Sequence, residues 1–240
     1  MFQSLPDSEF ENSITPQRNL WAVVDLLVFG LFSLVATLGL LLVFRQLPPI
    51  YAIPLQAVFN VILVGFIAVW IRVVRHSSFK QYVHLVRSRA FSRRSLILLG
   101  IMLSVGVLII SAFLPSTDDT PLEKLLTSRT AIVLFAVFGV AVAPLLEELI
   151  FRGFLFKVLW EIGGPKLAIP GSAVLFAAPH SLQLAGNPGA VILIFMVGCI
   201  LAVIRHRSNS VIPSFIVHTS YNSTIFVLFG INSLLQRALQ

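Results

Sequence analysis

Seven apolar runs dominate this 240-residue chain, at about 21–44, 52–71, 95–114, 130–158, 167–182, 189–204 and 211–230. Each approaches the ~20 residues that a helix needs to cross the hydrocarbon core of a bilayer. The pattern predicts an all-α, polytopic transmembrane helix bundle of about seven spans, with six to eight as the range. Composition supports this, since 57% of the residues are hydrophobic, only 11% are charged, and the mean hydropathy is +0.94. A soluble globular domain carries about twice that share of charge. The chain divides into a polar N-terminal segment (1–20), a first group of membrane helices (21–129) with a basic loop at 72–94, a helical core (130–230) and a short tail (231–240). A cleaved signal peptide is not expected, because residues 1–20 carry Asp7, Glu9 and Glu11 and the following run is too long for a signal h-region.

The net charge of +7 sits in short loops between apolar runs, where it sets topology, and no basic stripe interleaved with aromatics suggests nucleic acid. Between the second and third runs lie Arg72, Arg75, Lys80, Arg87, Arg89, Arg93 and Arg94, without an acidic residue. This loop is expected in the cytoplasm, and the loop from Pro115 to Arg129, with Asp118, Asp119 and Glu123, outside. Alternation from there puts the N-terminus in the cytoplasm and leaves 13 of the 17 Lys and Arg residues inside. The expected location is an integral position in the bacterial inner (cytoplasmic) membrane. The basic loop could also form an amphipathic helix on anionic lipid, although retention by its charge is the simpler reading. The single cysteine, Cys199, lies in an apolar run and reads as a core residue. Gly163-Gly164-Pro165 and Gly186-Asn187-Pro188-Gly189 read as turns.

Three charges interrupt the fourth run, in Pro144-Leu145-Leu146-Glu147-Glu148-Leu149-Ile150-Phe151-Arg152. Ionisable residues at such depth cost roughly 2.5–3.5 kcal/mol on a translocon scale and usually mark function. On a helix Glu148 and Arg152, at i,i+4, share a face and can neutralise each other, which leaves Glu147 about 100° away and free for chemistry. Further along, Phe176 and His180 share a face, with Pro179 between them, and His218 and Asn222 share another. Asp25, near the start of the first run, reads as interfacial. A lone membrane His or Asn usually serves as helix packing glue, but an unpaired Glu, two His and an Asn gathered on the last four runs suit peptide hydrolysis. Nucleophilic catalysis fits less well, since no Ser lies in a G-x-S-x-G setting and Cys199 has no base nearby in its run.

The motifs E-E-x-x-x-R (Glu147, Glu148, Arg152), F-x-x-x-H (Phe176, His180) and H-x-x-x-N (His218, Asn222), in this order over residues 130–230, resemble the CPBP family. That family includes CAAX prenyl endopeptidases and bacterial Abi proteins. The resemblance implies an intramembrane glutamate endopeptidase acting on a membrane-associated peptide or protein, prenylated or leader-bearing. Glu147 would activate water with His180 as its partner, His218 and Asn222 would stabilise the oxyanion, and Glu148 and Arg152 would form a supporting ion pair beside Phe176. No cofactor is favoured. Zinc is the alternative, held by Glu147, His180 and His218 with one open position. The expected partners are the lipid bilayer and the substrate. Two other classes compete: an ion-coupled transporter, disfavoured by the missing internal repeat, and a non-catalytic immunity or scaffold protein. The run limits pose one difficulty, because upright helices would separate Glu147 and His180 by roughly 15 Å in depth. Tilt, a kink at Pro144 and an extended fifth helix are expected to close that gap.

Overall fold

In the computed structural model the described residues are 16–45, 47, 51–114, 129–184 and 187–238. Residues 115–128 of the acidic loop with Ser116, residues 1–15 of the polar N-terminal segment, and Gly186 lie outside them. The described residues form no strand, and their helices are α1 (Pro16–Phe44), α2 (Ala52–Val73), a single turn α3 (Phe79–Tyr82), α4 (Arg93–Ser111), α5 (Arg129–Val137), α6 (Ala143–Glu147), α7 (Phe156–Gln183), α8 (Pro188–Ser208) and α9 (Val211–Ala238). Two π-helical segments, Phe138–Val142 and Glu148–Leu155, join α5 to α6 and α6 to α7. Among the described residues the fold of this membrane protein is all-helical, and six stretches are long and apolar enough to cross a bilayer.

The fourth stretch, Ile132–Ser181, is 50 residues long, far more than one crossing needs. It is two helices. Gly163 (φ −147°, ψ 22°) and Gly164 (φ 64°, ψ −161°) leave helical geometry, and the second conformation is one that only glycine adopts without strain. The chain then folds back on itself. A Cβ on Gly163 would meet Leu167, one on Gly171 would meet Leu159, and the rings of Phe151 and Phe176 touch edge to face at 5.3 Å. Contacts between positions that recede evenly from one turn define an antiparallel hairpin. Among the described residues the six stretches therefore supply helices for seven passes.

Local chemistry sets the other ends. Ser92 caps α4 by accepting from the Ser95 N–H at 3.1 Å, and Asn187 caps α8 by accepting from the Ala190 N–H at 3.2 Å, with Pro188 at the first helical position. Asn209, left-handed at φ 48°, closes α8. The outward faces carry Leu27, Leu31, Leu34 and Leu38 on α1 and Met102 and Ile109 on α4, all exposed. Apolar surface of that extent is what a lipid environment covers.

The core joins both halves of the chain. Ala22, Phe29, Leu63, Ile67 and Ile71 from α1 and α2 pack with Val83, Ile150, Phe154 and Val158. The basic loop is not a surface-lying helix. It forms only the turn α3, capped by Ser78, and buries Tyr82 and Val83 against the bundle. Its backbone is clasped to the α8–α9 turn, where the Val211 N–H donates to His84 O at 3.2 Å and the Ser210 hydroxyl donates to Val86 O. Arg75 of the same loop reaches Glu161 near the hairpin tip. Three connections, 74–92, 163–164 and 209–210, thus share one basic face.

Asp25, read from the sequence as lying near the interface, faces the protein interior. It is fully buried, and accepts from Trp70 Nε1 at 2.8 Å and Tyr82 Oη at 3.1 Å, while Arg75 Nε lies 3.4 Å away. Glu161, which also pairs with Lys157 at 2.8 Å, completes a network that ties α1 and α2 to the hairpin. An uncompensated buried carboxylate would be costly, and these donors are what allow one on the first span.

Candidate active site

The site is built where the helical ladder changes pitch. Pro144 has no N–H to donate, so the regular i→i−4 pattern cannot run through it, and the π segment Phe138–Val142 lies immediately before. The second π segment begins at Glu148 and carries Arg152 and Gly153. Such wide turns occur often at functional sites because they redirect side chains and backbone carbonyls. A Cβ on Gly153 would stand 2.8 Å from Val83 Cβ, so glycine is what lets the basic loop close against this segment.

Glu148 and Arg152 are fully buried, with Arg152 Nη1 3.2 Å from Glu148 Oε1. The same carboxylate oxygen accepts from His218 Nδ1 at 3.1 Å. A carboxylate can only accept, so Nδ1 carries the proton and Nε2 is turned to the other side. There it lies 3.7 Å from Glu147 Oε2. One imidazole from α9 thus bridges the two neighbouring glutamates. Glu147 is the accessible member, with 19% of its side chain exposed against none for Glu148.

Arg152 is held from several directions. Its Nη2 donates to Gly198 O at 3.2 Å, and its guanidinium stacks over the Phe176 ring at 4.3 Å. Phe176 also touches His218 edge to face at 5.6 Å and His180 at 4.8 Å. It is the hub of the motif residues. His180 Nδ1 donates to Phe176 O at 2.8 Å, and because a carbonyl only accepts, the neutral ring has its lone pair on Nε2. Among the described residues, no ion pair joins His180 to either glutamate; Glu147 is instead placed against His218. Asn222 donates from Nδ2 to Gly139 O at 2.8 Å, in the first π segment, which leaves it one further N–H.

Phe176 ties the motif residues together, since it touches Arg152, His218 and His180. His218 lies seven residues into α9, roughly 10 Å below the basic face. Glu148 is at the same depth, because the two touch. Phe176, on the returning arm of the hairpin, meets His218 edge to face at 5.6 Å.

The zinc alternative requires Glu147, His180 and His218 to converge. Among the described residues no three His, Cys, Asp or Glu side chains are grouped so as to hold a metal, and His180 turns its Nδ1 to Phe176 O and pairs with neither glutamate. The arrangement does not fit a His₂Glu centre.

A buried ion pair, an imidazole clamped between carboxylates and a second imidazole on a shared aromatic ring, all inside a seven-pass helical bundle, define an integral membrane protein with a polar site in its core. Residues 129–224 match the family described as type II CAAX prenyl endopeptidase Rce1-like, and all three motifs lie in that interval. The match supports a protease. No curated protein and no solved structure matched the chain.

One partnership and one participant lie beyond the sequence reading. Glu148 was assigned to Arg152 alone, and nothing in local spacing signals an imidazole 70 positions away. Arg205 was counted only as a topological charge. Its signal was its depth, three residues before the end of α8.

Proposed function

We propose that the protein is an intramembrane endopeptidase that hydrolyses a peptide bond of a membrane-associated substrate with water activated by Glu147. The observation that carries this reading is the partly exposed Glu147 carboxylate facing the Nε2 edge of a buried, clamped imidazole. Glu147 takes a proton from water as the resulting hydroxide adds to the scissile carbonyl carbon. The second N–H of Asn222 and the Nε2 edge of His218, when protonated, donate to the oxyanion that forms. Collapse expels the amine, which receives the proton held by Glu147. His180, whose Nε2 lone pair is free, assists the proton transfer from the opposite side of Phe176. Glu148 and Arg152 keep His218 oriented.

The substrate enters from the basic face, roughly 10 Å from the site. The charge pattern favours a cytoplasmic position for this face, so cutting is expected near the inner leaflet. The test is purified protein in detergent with a panel of labelled peptides, prenylated and unmodified. Cleavage that disappears in Glu147→Ala supports the reading. Cleavage that persists in that variant, or transport of an ion without cleavage, overturns it.

A further inference from the structure

Arg205 is a cation in a place that should not tolerate one. Its side chain lies within α8, only 3% of the residue is exposed, and among the described residues no carboxylate forms an ion pair with it. Burying an unpaired guanidinium in a membrane bundle is expensive, and residues of this kind are kept for a purpose. The partners it does have are directional. Nε donates to Arg152 O at 3.0 Å, Nη1 donates to Asn209 Oδ1 at 3.3 Å, and the group sits 5.3 Å from the Phe156 ring centre.

The first of these contacts is informative. Arg152 lies inside the π segment Glu148–Leu155, where a widened turn shifts carbonyls off the regular ladder. A charge-assisted donor on such a carbonyl can fix the wide turn in place. The same residue's side chain holds Glu148, and Glu148 holds His218 against Glu147. Arg205 therefore grips the backbone of the residue whose side chain begins the chain of contacts ending at the candidate base. Two arginines act on opposite sides of one helix: Arg152 from within, Arg205 from the neighbouring helix.

We propose that Arg205 is a positioning residue for this site, locking the π segment so that Glu148 and His218 present a fixed imidazole edge to Glu147. The inference rests on the reading of Glu147 as the base. Three variants test it: Arg205→Gln, Asn209→Gly and, as control, the exposed Arg207→Gln on the same helix. Arg205→Gln is expected to lower kcat roughly 10–100-fold with KM within about twofold, the size of effect that a displacement near 1 Å produces. Asn209→Gly keeps the left-handed backbone, which glycine favours, and removes only the acceptor, so it folds and is expected to lower kcat about two- to fivefold. Arg207→Gln stays at the wild-type level.

A second readout needs no turnover. With ¹⁵N-labelled histidine, assigned through His218→Gln, the His218 ring signals shift in Arg205→Gln and Asn209→Gly, and stay put in Arg207→Gln. Unchanged His218 signals in a folded Arg205→Gln protein overturn the proposal, and if that variant does not fold, unchanged signals in Asn209→Gly do so. Equal loss of kcat in Arg207→Gln also overturns it. A wild-type protein without peptidase activity refutes the proposed function, while the histidine signals still decide the role of Arg205.

Discussion

Glu147 and Glu148 are adjacent in sequence, and their environments set them apart. Glu148 is sealed in with Arg152 and His218, whereas Glu147 keeps access to solvent. Glu148→Gln strands Arg152 and is expected to cost about 3–5 kcal/mol, as removal of one partner of a buried pair does. Glu147→Gln is expected to abolish cleavage with the melting temperature nearly unchanged. Thermal unfolding and peptide turnover on the two variants check this, and equal losses of stability would refute the division of roles. The motif residues were legible because charge and amide groups in apolar runs need a reason to be there. Their partnerships were not, since α geometry places Glu147 and Glu148 some 100° apart, and only the tertiary fold brings one ring between them. His84 adds a pH effect. Burial and the nearby Arg205 and Lys157 push its pKa down to about 4. The unfolded chain binds that proton more readily, so the stability present above about pH 6.5 is lost as pH falls towards 4. His84→Asn, which tolerates the left-handed φ of 54° at this position, is expected to flatten the fall in melting temperature between pH 7.5 and 5. An equally steep fall would point to other groups.

At the scale of elements, the apolar runs were read to within a few residues, and Gly163-Gly164-Pro165 was legible as a turn because glycine pairs and proline punctuate helices. The π segments were not legible. Hydrophobic period does not distinguish a widened turn from a regular one, and only Pro144 hinted at an interruption. The role of α4 was equally hidden, since it lies outside the matched residues 129–224. It nevertheless packs closely on α9, the helix that carries His218 and Asn222. A Cβ on Gly100 would fall 2.6 Å from both Ser220 Cβ and Val217 O. Close approach of two helices through a small residue is a usual basis of packing in membranes. Gly100→Val forces them apart, and is expected to cost roughly 1–3 kcal/mol, as overpacking does, and to reduce turnover by moving His218. Melting curves and kinetics on this variant, with Gly106→Val as a control at an open position, measure both. Equal effects of the two substitutions would mean that the contact is unimportant.

For the whole molecule, the charge pattern and the fold agree on which connections lie together: the loop at 74–92, the hairpin tip and the α8–α9 turn. Which side of the membrane they occupy is a matter for labelling. In a Cys199→Ser background, Ser88→Cys is expected to resist a membrane-impermeant thiol reagent in intact cells and Ser116→Cys to react. The reverse pattern would invert the orientation and the side of cleavage. The number of passes bears on the same question through Gly164. A ribosome feeding this chain to the insertion machinery delivers two apolar runs parted only by a short gap within fifty residues, and hydropathy alone does not fix a fold-back between them. The left-handed backbone at Gly164 does. It acts as a parity bit for biogenesis: with the turn, α8 and α9 follow a fifth pass and enter with His218 facing the glutamates, and without it every later segment would be threaded from the wrong side.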